Sequence, residues 1–240
     1  MITLDIISDP ICPWCYIGKA KLDDALASMP DHPFDIRWRP FRLNPDMPPE
    51  GMDRRSYLEG KFGGKEKARQ VYDQIAQAAE AAGLDIDFSR IARTPSTVDA
   101  HRLIRWARTE GAQGRVVDAL FHAYFEDGLD ISDRSVLLDI AEAAELDRGV
   151  VAALLESDAD RVEVIEEDEA AREIGVGGVP TFLVGGKYVI QGAQEPDLWM
   201  RVIEEIRGIE AVQAEDAAED ADELDDAERD RAENDWPGPA

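Results

Sequence analysis

The chain holds two cysteines in 240 residues, Cys12 and Cys15, both in one Cys-Pro-Trp-Cys motif. Their setting constrains the fold as much as their spacing does. The apolar run Ile2-Thr3-Leu4-Asp5-Ile6-Ile7 comes just before them, and a helical pattern from Tyr16 to Met29 follows. Strand, short loop, CxxC and helix is the context in which this spacing carries thiol–disulfide chemistry. A cysteine at a helix N-terminus meets free N–H groups and the positive end of the helix dipole. Both favour the thiolate, which is the nucleophile.

The rest of the chain reads as an α/β protein. Residues 2–8 predict a buried strand. Residues 13–29 predict a helix with Pro13 in its first turn, where a missing N–H costs nothing. Phe34-Asp35-Ile36-Arg37-Trp38 alternates as a second strand. Pro40 to Gly51 is a proline-rich connection. A helical block follows from about residue 53 to residue 174, punctuated by Gly63-Gly64, Gly83, Gly111, Gly114 and Asp127-Gly128. Pro95-Ser96-Thr97 opens one helix with N-cap chemistry. Ser132 or Asp133 caps another, whose apolar face is Val136, Leu137, Ile140 and Ala144. Asp158 to Ile174 is a last, very acidic helix. Pro180 to Val184, the turn Gly185-Gly186, and Lys187 to Gln191 predict a hairpin. Glu195 to Arg207 predicts a closing helix. The expected division is residues 1–50 and 158–208 as two parts of one α/β domain, with 51–157 as a helical insertion. Residues 209–240 are an acidic tail too poor in apolar groups to order itself.

Composition excludes some partners. Asp and Glu number 52 against 26 Lys and Arg, a net charge of −26. Nucleic acid and anionic membranes both call for a basic face, so neither is expected. No apolar run approaches the ~18 residues that mark a transmembrane helix. The opening residues lack the basic start of a signal peptide, which predicts a cytoplasmic protein. There a CxxC pair is more often catalytic or metal-binding than structural. A zinc site needs about four ligands. Only the scattered His32, His101 and His122 could complete one, so no metal is expected.

Several stretches together carry a family resemblance. Ser8-Asp9-Pro10-Ile11-Cys12-Pro13-Trp14-Cys15-Tyr16-Ile17-Gly18-Lys19 resembles the active-site segment of DsbA-like thioredoxin-fold proteins, most of all their cytoplasmic FrnE-like branch. That branch is related to the 2-hydroxychromene-2-carboxylate isomerases and the kappa-class glutathione transferases. Ala100-His101-Arg102-Leu103-Ile104 and Phe121-His122-Ala123-Tyr124-Phe125 resemble helices of its insertion. Gly175-Val176-Gly177-Gly178-Val179-Pro180 and Gly192-Ala193-Gln194 resemble its cis-proline loop and the turn after it. The resemblance spans about residues 1–207. It implies a thioredoxin-like fold with a large α-helical insertion, and dithiol–disulfide exchange.

In that reading Cys12 is the exposed, attacking thiol, and Cys15 is the buried thiol that resolves a mixed disulfide. Pro13 and Trp14 tune the pair without adding charge. Pro180 faces the dithiol in a cis bond, and the Val179 backbone pairs with an extended substrate. From the residues alone, Pro180 is equally an ordinary proline opening a strand. Gly192-Ala193-Gln194 is either a plain turn or a seat for a carboxylate such as that of glutathione. No bound cofactor is expected, with glutathione a redox co-substrate. Expected partners are disulfide-containing proteins or small thiols, and a cellular reductant such as glutathione or thioredoxin. His101, His122, Trp106, Phe121, Tyr124 and Phe125 read as core.

The sequence departs from its relatives in places. Ser96 stands where the branch often has Asn. The buried acid of thioredoxins has no clear equivalent. Asp5 and Asp9 are nearest, and the spacing of neither matches. Two other functions stay open. One is a glutathione-dependent isomerase or transferase, although those relatives usually carry Ser in place of the first cysteine. The other is a non-catalytic holdase that uses an apolar groove of the insertion.

Overall fold

The computed structural model describes residues 1–209. The expected acidic tail therefore lies almost wholly outside the described residues. Strand β1 (Ile2–Ser8) is the first element, and Leu4, Ile6 and Ile7 are buried along it. A strand apolar on both faces belongs inside a sheet. Accordingly, β1 lies between β2 (Phe34–Pro40), to which it runs parallel, and β5 (Thr181–Val184), to which it runs antiparallel. Leu4 to Ile7 pair on both sides, Leu4 lying opposite Ile36 on one and Val184 on the other. β6 (Tyr188–Gln191) completes the order β2-β1-β5-β6.

Helix α1 (Pro13–Ser28) links β1 to β2. The closing helix, α9, covers 196–209 and places Trp199 edge-on against Phe182, with ring centroids 4.7 Å apart. Between the two halves of the sheet come α2 (Arg54–Phe62), α3 (Lys65–Ala81), α4 (Val98–Trp106), α5 (Gln113–Phe125), α6 (Arg134–Ala143), α7 (Arg148–Glu156) and α8 (Arg161–Glu173). Asp133, not Ser132, caps α6 by accepting the Ser135 N–H, and Asp147 caps α7 by accepting from Val150.

Three details differ from the sequence reading. A two-residue ladder pairs β3 (Met52–Asp53) with β4 (Arg93–Thr94), and it ties the start of the insertion to its middle. Gly114 lies inside α5 and does not separate helices. Thr97 precedes α4 but gives its helix no side-chain cap. Its hydroxyl is turned toward Asp9 instead.

One hydrophobic cluster runs through both parts of the molecule. It joins Leu4, Ile6 and Phe182 of the sheet to Phe121, Tyr124 and Phe125 of α5, and it includes Cys12 and Cys15. Tyr16, next to Cys15, stacks on Phe121 with centroids 5.0 Å apart, and on Phe125 at 5.8 Å. The insertion is thus packed directly on the helix that carries the dithiol.

Candidate active site

Cys12 occupies the N-cap of α1 with extended backbone (φ −90°, ψ 113°), and Pro13 takes the first helical turn. The Cys12 N–H donates to the Asp9 carbonyl at 2.9 Å. The Cys15 N–H closes the first turn on the Cys12 carbonyl at 3.0 Å. Pro13 is buried, whereas Trp14 is 40% exposed and stands at the rim. The expectation of an exposed attacking thiol needs correction. Cys12 is only 4% exposed, against 1% for Cys15. Cys12 belongs to a buried cluster that includes insertion residues, and Val179 packs against that cluster, so the order of exposure is as expected and its extent is not.

Burial pushes the Cys15 thiol well above its ordinary range, and the adjacent Cys12 adds to the effect. The Ser8 hydroxyl and the Asp9 N–H oppose it, since both donate to the sulfur. Cys15 therefore keeps its proton until something drives it off.

Val179–Pro180 is a cis bond, as the resemblance implied. The Cys12 thiol donates to the Val179 carbonyl at 3.6 Å, across 167 residues of sequence. Two contacts hold this loop in place. The Gly192 N–H donates to the Pro180 carbonyl at 2.8 Å, and the Thr181 hydroxyl donates to the Gly178 carbonyl at 2.7 Å. Gly18 of α1 faces the proline ring. A Cβ at Gly18 would stand 3.0 Å from Pro180 Cγ, so the glycine permits the helix to approach the loop. In the Gly192-Ala193-Gln194 turn, the Gly192 and Gln194 N–H groups are already engaged within the fold. That favours the plain-turn reading.

Asp9, one of the two acids considered as a counterpart of the thioredoxin buried acid, is buried although its spacing does not match. It is wholly inaccessible, and its carboxylate accepts the Leu43 N–H at 2.7 Å and the Ile11 N–H at 3.3 Å. One side chain thereby joins the cysteine loop to the chain leaving β2. Burial raises its pKa to about 7, although those N–H groups and Thr97 pull the other way. His101 Nε2 lies 3.8 Å from Asp9 Oδ1 and 3.2 Å from the Phe41 carbonyl. Burial depresses His101 to about 4, so its ring is neutral near pH 7 and Nε2–H donates to Phe41. His101 is core, as expected. His122 is not: it is 56% exposed and lies beside Glu126 and Asp127. Asp5, the other acid considered, pairs with Arg39 at 2.7 Å. Among the described residues no three His, Cys, Asp or Glu side chains are grouped to hold a metal. Among them, too, no helix is long and apolar enough to cross a membrane.

A dithiol at the head of the first helix, faced by a cis-proline loop, defines a thioredoxin-fold domain, here interrupted by helices. Residues 3–204 match the family of DSBA-like thioredoxin domains, and the chain belongs to that family. It is similar to a probable DsbA oxidoreductase from Streptomyces coelicolor. That likeness has a TM-score of 0.78 and 30% identity, over 87% of this chain and 91% of the other. It is also 26% identical to the Bacillus subtilis protein YwbO, over 84% of this chain and 96% of that one. The fold is shared with the cytosolic disulfide reductase DsbM from Pseudomonas aeruginosa, at a TM-score of 0.64 and 18% identity. There the likeness covers 86% of this chain and 99% of that one.

Proposed function

We propose that this protein is a cytoplasmic thiol–disulfide oxidoreductase whose working pair is Cys12 and Cys15. The observation that carries the reading is the 3.6 Å approach of the Cys12 sulfur to the Val179 carbonyl. That approach puts a nucleophile beside the bend at Val179 and Pro180 that leads into β5. A substrate chain laid along Val179 presents its disulfide to Cys12, in the manner of an added strand.

In the first step the Cys12 thiolate attacks one substrate sulfur. A Cys12–substrate bond forms, the substrate S–S bond breaks, and the leaving thiolate takes the electron pair and a solvent proton. Cys15 then gives up its proton and attacks the Cys12 sulfur. The mixed disulfide breaks, and the second substrate thiol leaves. The substrate gains two electrons and two protons, and the Cys12–Cys15 disulfide records their loss. A thiol reductant, glutathione or thioredoxin, restores the dithiol. Pro13 and Trp14 set the pair's environment without charge, and Val179 and Pro180 seat the substrate.

Retention of Cys12 where glutathione-dependent relatives usually carry Ser favours this reading over an isomerase. The test is reduction of insulin disulfides, which should be lost in Cys12→Ser. Full retention of turnover in that variant would overturn it. Tight glutathione binding with no redox cycling of the pair would favour the isomerase.

A further inference from the structure

A cavity of about 840 Å³ lies where the outer edge of β2 parts from α4, α7 and α8. That size suits a small organic molecule, and close-packed interiors seldom leave so much space unfilled. Its walls are largely apolar: Trp38 comes from β2, Ile104 from α4, Val150, Val151 and Leu154 from α7, and Val164 from α8. Val150 is 56% exposed, so an apolar occupant would take it out of water. None of Cys12, Pro13, Trp14, Cys15, Val179 and Pro180 lines this space, which is therefore separate from the dithiol.

The charged groups around the cavity fall into two sets. Most are already held by the fold. Arg39 and Arg105 both pair with Glu167, and Arg105 also pairs with Asp160 at 2.9 Å. Trp106 Nε1–H donates to the second Asp160 oxygen at 2.8 Å. Asp147 caps α7, and Glu145 reaches Arg115 at 3.4 Å. Arg108 and Glu110 remain. Both line the cavity, both are exposed, and neither pairs with a charge among the described residues. They stand in the turn after α4, which the Gly111 N–H closes on the Arg108 carbonyl at 3.1 Å. An anion would satisfy Arg108 and meet Glu110 as a like charge. A cation would do the reverse. A ligand with one charge of each sign meets both.

We propose that this cavity is a binding site for a short apolar peptide with free ends. Arg108 receives its carboxylate, Glu110 receives its ammonium, and its side chains fill the space between β2 and α7. Binding is reversible and makes or breaks no covalent bond, so it is a function apart from disulfide exchange.

The test is calorimetric titration of the full chain with the dipeptide Leu-Phe, beside two analogues. N-acetyl-Leu-Phe lacks the ammonium, and Leu-Phe amide lacks the carboxylate. Arg108→Gln should weaken Leu-Phe roughly tenfold, as loss of a hydrogen bond between charged groups does, and leave Leu-Phe amide unchanged. Glu110→Gln should weaken Leu-Phe to a similar extent and leave N-acetyl-Leu-Phe unchanged. Val150→Trp sets an indole in the cavity and should abolish binding of all three, with urea unfolding to confirm that the variant folds. Three results would overturn the proposal. The parent could fail to bind Leu-Phe at millimolar concentration. A charge variant could weaken Leu-Phe and its mismatched analogue alike. Val150→Trp could bind Leu-Phe as the parent does, which would place the peptide elsewhere.

Discussion

The side-chain amide of Gln113 is hydrogen-bonded to both backbone groups of Trp38, accepting its N–H at 3.1 Å and donating to its carbonyl at 3.3 Å. The same amide donates to the Ile104 carbonyl at 3.1 Å. One residue of α5 thus behaves as an extra strand on the outer edge of β2, and it fastens the insertion to the sheet. Gln113→Ala leaves these buried groups unpaired, and each such loss costs about 1–3 kcal/mol. The expected total is about 3 kcal/mol by urea denaturation, with the dithiol's reactivity little changed. A variant as stable as the parent would show that water replaces the amide without penalty.

Gly18→Ala should act against helix propensity. Alanine in a helix interior ordinarily stabilises by about 1 kcal/mol over glycine. Here its methyl would meet Pro180 Cγ at 3.0 Å and push the loop from the dithiol. We expect a net destabilisation of about 1–2 kcal/mol, as for other overpacked sites, together with slower insulin reduction. Thermal unfolding and turnover measured on the same sample check both parts. A raised melting temperature with full turnover refutes the contact's importance.

Asp9 and His101 make opposed contributions to the pH dependence of stability. Asp9 holds a proton in the folded protein up to about pH 7, whereas the unfolded chain releases it near 3.8. Its contribution to stability is full below 3.8 and is lost as pH rises to about 7. His101 is depressed from 6.5 to about 4, so its contribution is full above 6.5 and is lost as pH falls to about 4. Between those limits the two slopes, each about 1.4 kcal/mol per pH unit, offset each other. His101→Gln removes one of them. The stability difference between parent and variant should then climb with pH from about 4 to 6.5 and level off above. A difference that is flat across that range contradicts the assignment.

Resolution of the mixed disulfide should be the pH-limited step, because burial raises Cys15. Loading Cys12 with a chromophoric aromatic thiol through a mixed disulfide makes its release by Cys15 visible. Release should accelerate about tenfold per pH unit through neutrality, as the thiolate fraction does. Ser8→Ala removes a donor to the Cys15 sulfur and should slow release several-fold at pH 7. Rates independent of pH, and equal in Ser8→Ala, would place the limiting event elsewhere.

Much of this was legible in the sequence because it follows from local pattern. The Cys12–Cys15 spacing, the run at Ile2–Ile7 and the Gly185-Gly186 turn fix the β1-α1 unit and the hairpin. What escaped depends on which distant segments meet. Nothing in the local sequence chooses between Asp5 and Asp9 as the buried acid, because it is the distant Leu43 and His101 that pack against Asp9. The β3–β4 ladder is two residues long and carries no periodicity to read. Helix α7 carries an Asp147 cap and the apolar Val150, Val151, Leu154 and Leu155, but its 9 residues make too short a pattern to stand out between longer helices. His122 reads as core because its neighbours Phe121, Ala123, Tyr124 and Phe125 are all buried, yet it alone of that stretch faces out.

The clamp on Trp38 has a last consequence, for how the sheet can be extended. Gln113 occupies hydrogen-bonding groups that a neighbouring strand at β2 would need. At the other end of the order, β6 pairs only with β5 among the described residues, and Tyr188 and Val189 stand exposed along it. Apart from a substrate segment seated at Val179, a chain that pairs along the full length of this sheet's edge finds the open side at β6 rather than at β2.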